Sequence, residues 1–170
     1  TWTRKENTRM VDFHQNGNIA TLHNLRARSH ADMTNALETF AQTRKMSLIL
    51  PCLYSELATD AMPNILAELS KVTYLHRIII GLDRATEDEF RHAKKFFEGL
   101  NQNHIVIWND SPRMKALAAR LEDLGLASSE QGKGKNVWAS FGYLIGCQDS
   151  AVMAIHDCDI LTYTNDMLAR

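Results

Sequence analysis

The run Val152-Met153-Ala154-Ile155-His156-Asp157-Cys158-Asp159-Ile160 begins as an apolar strand and ends in two carboxylates with one residue between them. Side chains alternate across an extended strand, so Asp157 and Asp159 are expected to lean the same way at its end, where two anionic groups can share a divalent cation. Such a pair suits a metal-bound diphosphate. From these residues alone a strand followed by a solvated Asp turn reads equally well, because short matches recur by chance.

Working outward, Gly132-Lys133-Gly134-Lys135 introduces a helix whose Val137, Phe141, Leu144 and Ile145 make one apolar face. Before it, Ser111-Pro112 pairs a cap residue with a first-turn proline, and that helix runs to about Leu124 and stops at Gly125. His104–Trp108 reads as a strand closed by Asn109-Asp110, lesser site candidates that read first as turn formers. Thr86 and Glu89 form a capping box for a helix reaching about Glu98. The strand Tyr74–Leu82 contains Ile78-Ile79-Ile80, too uniformly β-branched for a half-exposed strand, and ends at Asp83. Ile65, Leu66, Leu69 and Val72 are the inward stripe of another helix, with Pro63 in its first turn. Met46–Pro51 reads as a buried strand that its proline stops at a sheet edge.

Met33, Leu37, Phe40 and Ala41 mark a surface helix between His30 and Lys45, capped by Ser29 or Asp32. Residues 1–29 are polar, with the turn Asn16-Gly17-Asn18 ahead of one short strand, Ile19–Leu22. The chain therefore divides into an N-terminal extension with a surface helix (1–45) and an α/β domain (46–170). Strand and helix alternate with connections short enough for right-handed parallel crossovers, which predicts a doubly wound, mostly parallel sheet. Ligands bind beyond the carboxyl ends of such strands. Here those ends are Pro51–Glu56, Asp83, Asn109-Asp110 and His156–Asp159.

Composition narrows the function. The 170 residues are 45% apolar and carry a formal net charge of −1, without the basic excess that non-specific nucleic-acid binding uses. No apolar run reaches the length of a membrane span, and no secretory signal is recognisable, so a soluble, cytoplasmic protein is expected. Cys52, Cys147 and Cys158 are odd in number and outside any CxxC pattern, which indicates buried thiols rather than a disulfide framework or a cysteine zinc site.

Three segments, in order, resemble the nucleotide-sugar-binding half of metal-dependent glycosyltransferases of the GT-A fold, and most closely the glucosyl-3-phosphoglycerate synthase family. Leu50-Pro51-Cys52-Leu53-Tyr54-Ser55-Glu56 resembles that family's Pro-Ala-Leu-Asn-Glu-Glu segment, departing from it at Tyr54-Ser55. Gly132-Lys133-Gly134-Lys135-Asn136-Val137-Trp138 is similar to its Gly-Lys-Gly-Glu segment, and Asp157-Cys158-Asp159 stands in place of its Asp-Ser-Asp. Order and spacing agree from about residue 46 to 160. The resemblance implies a Rossmann-like domain that binds a nucleoside diphosphate sugar, UDP-glucose above others, and a parent protein that passes the hexose, with retention, to a small phosphorylated acceptor such as 3-phosphoglycerate. A homodimer is the family expectation. The family's acceptor site, a further metal-binding His and the loop supporting transfer follow the double aspartate, and eleven residues follow Asp159 here, so only the donor half is expected.

The same resemblance implies roles. Asp159 would hold Mg²⁺ or Mn²⁺, for which oxygen ligands are suited. Asp157 would face the ribose, and Cys158 would contribute mainly backbone. Lys133, whose flanking glycines let the backbone approach a ligand, would reach the phosphates or sugar, although a solvated turn is the plain alternative. Pro51, Leu53 and Glu56 would cradle uridine and ribose, and Asp83 would stand near the base. Glu56 reads comparably as an acid favouring a helix N-terminus. His156 is expected to be a packed neighbour rather than a ligand. Neither the Walker spacing nor the dinucleotide fingerprint fits the glycine loop, since Ala127 and Val137 stand where glycines belong. A phosphatase of the haloacid dehalogenase type also uses two aspartates one apart, but on an early strand with its machinery downstream. The rival that stays open is a non-catalytic nucleotide-sugar-binding module, or a half-domain needing a partner chain.

Overall fold

Ile78, Ile79 and Ile80 have no solvent exposure, and neither have Leu48, Ile49 and Leu50 on the neighbouring strand. Such continuous apolar runs are stable only where both faces are covered, which demands helices on each side of a parallel sheet. That is the arrangement in the computed structural model, which describes residues 28–127, 130 and 132–170. The expected turn at Asn16–Asn18 and strand at Ile19–Leu22 lie outside the described residues.

In chain order the elements are α1 (His30–Ala41), β1 (Met46–Leu53), a 3₁₀ turn (Tyr54–Ala58), α2 (Ala61–Leu69), β2 (Leu75–Asp83), α3 (Glu87–Phe97), β3 (His104–Trp108), α4 (Pro112–Asp123), α5 (Lys133–Cys147), β4 (Val152–Ile155) and α6 (Asp166–Ala169). The four strands are all parallel in the order β3-β2-β1-β4. The doubly wound α/β fold expected from the sequence is thus the one observed. Leu48, Leu50, Cys52, Ile78, Ile80 and Leu82 face α2 and α3, meeting Ile65, Leu69, Ala93 and Phe97. Ile49 and Ile79 face the other way, against Leu144 and Phe141 of α5. Alternation along each strand supplies both faces.

Helix starts follow their caps. The Ser29 hydroxyl accepts from Asp32 N–H (3.1 Å), so of the two candidates Ser29 caps α1. Thr86 and Glu89 close their box reciprocally (Thr86 N to Glu89 Oε2, 2.7 Å), and Ser111 Oγ accepts from Met114 N–H (3.2 Å). Gly125, at φ +68°, ends α4 in the left-handed conformation that glycine takes without strain. Helix α1 rests Leu37 and Ala41 on the first core cluster, and His30 pairs with Asp166 of α6.

Two expectations are corrected. Pro51 does not stop a strand at a sheet edge: β1 is a central strand that continues to Leu53. Ile49 C=O accepts from His156 N–H (3.1 Å), so Ile49 and, two residues on, Pro51 point their backbone groups toward β4, which has ended by then. The missing proline N–H therefore interrupts no ladder. The second correction concerns Asp157 and Asp159, which do not lie on the strand. Regular pairing stops at Ile155, and Asp157–Asp159 form a bent segment beyond it. Alternation survives only in the burial, with Cys158 inside and the aspartates outward.

Candidate functional site

The strand order places the site. From β1 the chain moves to β2 and β3 on one side, then crosses back to set β4 on the other side of β1. Loops leaving β1 and β4 diverge there, and a crevice opens at their carboxyl ends. A cavity of about 1000 Å³ occupies this position and extends between α4 and α5. Its walls include Pro51, Leu53, Glu56, Asp83, Lys133, Asp157, Cys158 and Asp159, the residues to which the resemblance assigned donor or metal binding.

Each is held by local structure. The 3₁₀ turn after β1 folds Glu56 back so that its Oε2 accepts from Leu53 N–H at 2.7 Å. One carboxylate oxygen thus serves the backbone, as the helix-terminus reading of Glu56 foresaw. Asp83 ends β2, and its Oδ1 accepts from Asn109 Nδ2 at 2.8 Å across the β2–β3 seam. Asp110 Oδ2 accepts from Ala85 N–H (3.1 Å) and closes the turn in which Arg84 adopts φ +55°. Lys133 opens α5, and its Nζ pairs with Asp157 across the mouth of the cavity. Both side chains are about half exposed (57% and 47%), so this pair is screened and contributes little to stability. Its value is positional: it leaves a cation and an anion at one rim.

His156 Nδ1 lies 2.8 Å from the Tyr163 hydroxyl, a packed neighbour as expected, and burial holds its imidazole below the usual histidine range. Burial likewise pushes the Tyr163 phenol up. Cys158 does more than offer backbone. Its side chain is 2% exposed, borders the cavity and lies against Cys52, whose thiol is pushed up by the hydrogen bond with Cys158 and by burial.

Three further cavity residues, Asn136, Trp138 and Tyr143, were given no role by the sequence reading. Asn136, 2% exposed, donates from Nδ2 to Gly81 C=O at 2.7 Å and so fixes α5 on β2. A Cβ at Gly81 would stand 1.9 Å from Asn136 Oδ1, so glycine is required for that approach. Asn109, a lesser candidate read first as a turn former, also lines the cavity, Trp138 was quoted only as the end of the Gly-Lys-Gly segment, and Tyr143 was not read at all. Asn136 adjoins the Gly-Lys-Gly segment, which was the available signal. Tyr143 carries none, because its place depends on how α5 packs.

Oxygen donors at an open rim suit a hard cation, since Mg²⁺ keeps several waters and takes one or two carboxylates with substrate phosphates. Asp157 and Asp159 make such a rim. The cavity is also long enough, and apolar enough along Ile107, Met114, Leu117 and Trp138, to take a ligand with a flat or apolar part.

Sheet order, crossover and cavity together define an α/β domain of the Rossmann-like class. Comparison with known proteins narrows this. The chain is 47% identical over 161 residues to glucosyl-3-phosphoglycerate synthase of Persephonella marina, which takes in 95% of this chain and 40% of the relative. It is 34% identical over 161 residues to the protein of the same name from Methanococcoides burtonii, taking in 94% of this chain and 39% of the relative. The resemblance carried by three short segments thus extends along nearly the whole chain, and both relatives bear a glycosyltransferase's name. The chain spans about two fifths of the length of these curated relatives. No family model matches it. Among the described residues, no helix is long and apolar enough to cross a membrane.

Proposed function

We propose that this chain is the donor-binding part of a metal-dependent glycosyltransferase that moves glucose from UDP-glucose to a small phosphorylated acceptor of the 3-phosphoglycerate kind. The observation that carries the reading is the meeting of Lys133, Asp157 and Asp159 at the rim of one switch-point cavity that also holds Glu56 and Asp83. Lys133 can leave Asp157 for a phosphate oxygen, which frees Asp157 to accept from a ribose hydroxyl. Asp159 is the metal ligand in this scheme. Bound Mg²⁺ or Mn²⁺ supplies Lewis-acid neutralisation of the departing diphosphate. Pro51 and Leu53 give the base an apolar wall, and Asp83, steadied by Asn109, gives it an acceptor for an N–H.

Calorimetry tests the donor: UDP-glucose should bind with Mn²⁺ and not without, GDP-mannose more weakly, and Asp159→Ala should abolish the metal-dependent part. Metal-independent or unaltered binding would end the proposal. One second reading is a binding module or half-domain that needs a partner chain. Donor binding without product formation from 3-phosphoglycerate would select it. A homodimer belongs to the same proposal, and light scattering would register it as twice the 19.3 kDa chain mass.

A further inference from the structure

We infer that Cys52, Glu56 and Cys158 form a site for a thiophilic divalent cation of the Zn²⁺ class, set into the buried wall of the cavity where β1 meets β4. The register brings the ligands together. Strands β1 and β4 pair in step from Met46↔Val152 to Ile49↔Ile155, and the bent segment beyond β4 lays Cys158 against Cys52 near the end of β1. The 3₁₀ turn then folds Glu56 in beside them. Among the described residues these are the one group of three His, Cys, Asp or Glu side chains whose ligand atoms all lie within 4.8 Å of one another. A tetrahedron at the ordinary Zn–S distance has an edge of about 3.8 Å, so the three donors need to close by about 1 Å or less.

The chemistry of the set is selective. Two sulfurs and one carboxylate oxygen suit Zn²⁺ or Cd²⁺, whereas Mg²⁺ and Mn²⁺ prefer the oxygen rim at Asp157 and Asp159. The cysteines are 1% and 2% exposed, yet both border the cavity with Glu56, so an ion has a route in and a fourth position open to water. Without a cation, three acidic groups crowd one buried spot, and the Cys52 thiol is held above its ordinary range by Cys158, by burial and by Glu56. A divalent ion reverses that balance. The metal forms two sulfur bonds and one oxygen bond, two thiol protons leave to solvent, and no electron moves. Bound there, the ion ties β1 to β4 independently of any donor.

The fully reduced chain titrated with Co²⁺ tests this. A near-ultraviolet thiolate-to-cobalt charge-transfer band should rise to saturation at about one equivalent per chain and be displaced by Zn²⁺. It should vanish in Cys52→Ser and in Cys158→Ser, weaken in Glu56→Gln, and persist in Cys147→Ser and Asp159→Ala. No band, a band that survives Cys52→Ser, or one lost in Cys147→Ser overturns the site. If the serine variants do not fold, alkylation of the unmutated chain in mild urea, where buried thiols open transiently, decides: Zn²⁺ should slow the labelling of Cys52 and Cys158 by N-ethylmaleimide and leave Cys147 as reactive as before, and rates at Cys52 and Cys158 that are the same with and without Zn²⁺ overturn the proposal. Asp159→Ala separates the two readings, because it is expected to remove Mn²⁺-dependent UDP-glucose binding while the cobalt band stays.

Discussion

Lys133 begins at Gly132, whose φ of +156° is a backbone conformation that L side chains rarely adopt. A side chain at position 132 would strain the turn that aims the lysine at Asp157. Because the ammonium already has a carboxylate partner, a ligand phosphate gains only the difference between the two. Lys133→Gln is therefore expected to weaken UDP-glucose binding about tenfold, the worth of one charge-assisted hydrogen bond, as read by calorimetry. At Gly81 the expectation is steric. Gly81→Ala drives a methyl into Asn136 Oδ1 and should cost about 1–3 kcal/mol in urea unfolding, with weaker donor binding because α5 carries Lys133. Asn136→Ala removes the nearest obstacle together with the 2.7 Å bond to Gly81, leaving Ser140 Oγ at 2.9 Å from the new methyl. The double variant should consequently be more stable than the sum of the singles predicts, and additive values would remove the clamp from the account.

At the scale of elements, the lower end of the sheet is joined by charge. Asp149, in the loop before β4, meets Arg77 Nη2 at 2.8 Å and His76 Nε2 at 3.2 Å, both on β2. The His76 hydrogen bond and the Arg77 guanidinium hold its carboxyl below the usual carboxylate range. With the folded value depressed, the unfolded chain binds the proton first, so this contribution is complete above the unfolded pKa of about 3.9 and is lost as pH falls through the folded value. Asp149→Asn should flatten the acid limb of a plot of melting temperature against pH and leave the neutral region nearly parallel. Helix α5 offers a test of the opposite sign. A Cβ at Gly146 meets nothing within 4 Å, so Gly146→Ala should raise stability by about 0.5–1 kcal/mol in denaturant unfolding through helix propensity alone.

For the molecule as a whole, the cavity couples β1, β2, β3, α4, α5 and the segment that follows β4, and a ligand filling it binds only the folded chain. UDP-glucose with Mn²⁺ at a hundred times its dissociation constant should therefore add about 2.7 kcal/mol of stability, visible as a rise in melting temperature that Asp159→Ala cancels. The first core cluster is the larger, with Phe97, Leu69 and Met62 wholly buried under the sheet. Among the described residues the second has three buried members, Ile49, Ile79 and Leu144, with Ile105, Ile107, Phe141 and Met153 partly buried against them, while Leu117 of α4 stays 49% exposed. The face carrying the cavity is thus the thinner one, which leaves room for a ligand between α4 and α5.

The sequence by itself determined the succession of strands and helices, their caps at Thr86 and Ser111, the parallel class of the sheet and the three segments that reach the cavity. The succession, the caps and the sheet class rest on side-chain periodicity and on contacts between near neighbours, which a linear pattern records, whereas the three segments were marked by their resemblance to a known family. Only the tertiary structure decided that β4 lies beside β1, that Pro51 sits in a central strand where its absent N–H does no harm, that Asn136 clamps Gly81, and that Cys52 meets Cys158. All four follow from one crossover, and the side chains it joins are far apart along the chain, so no local spacing could announce their meeting.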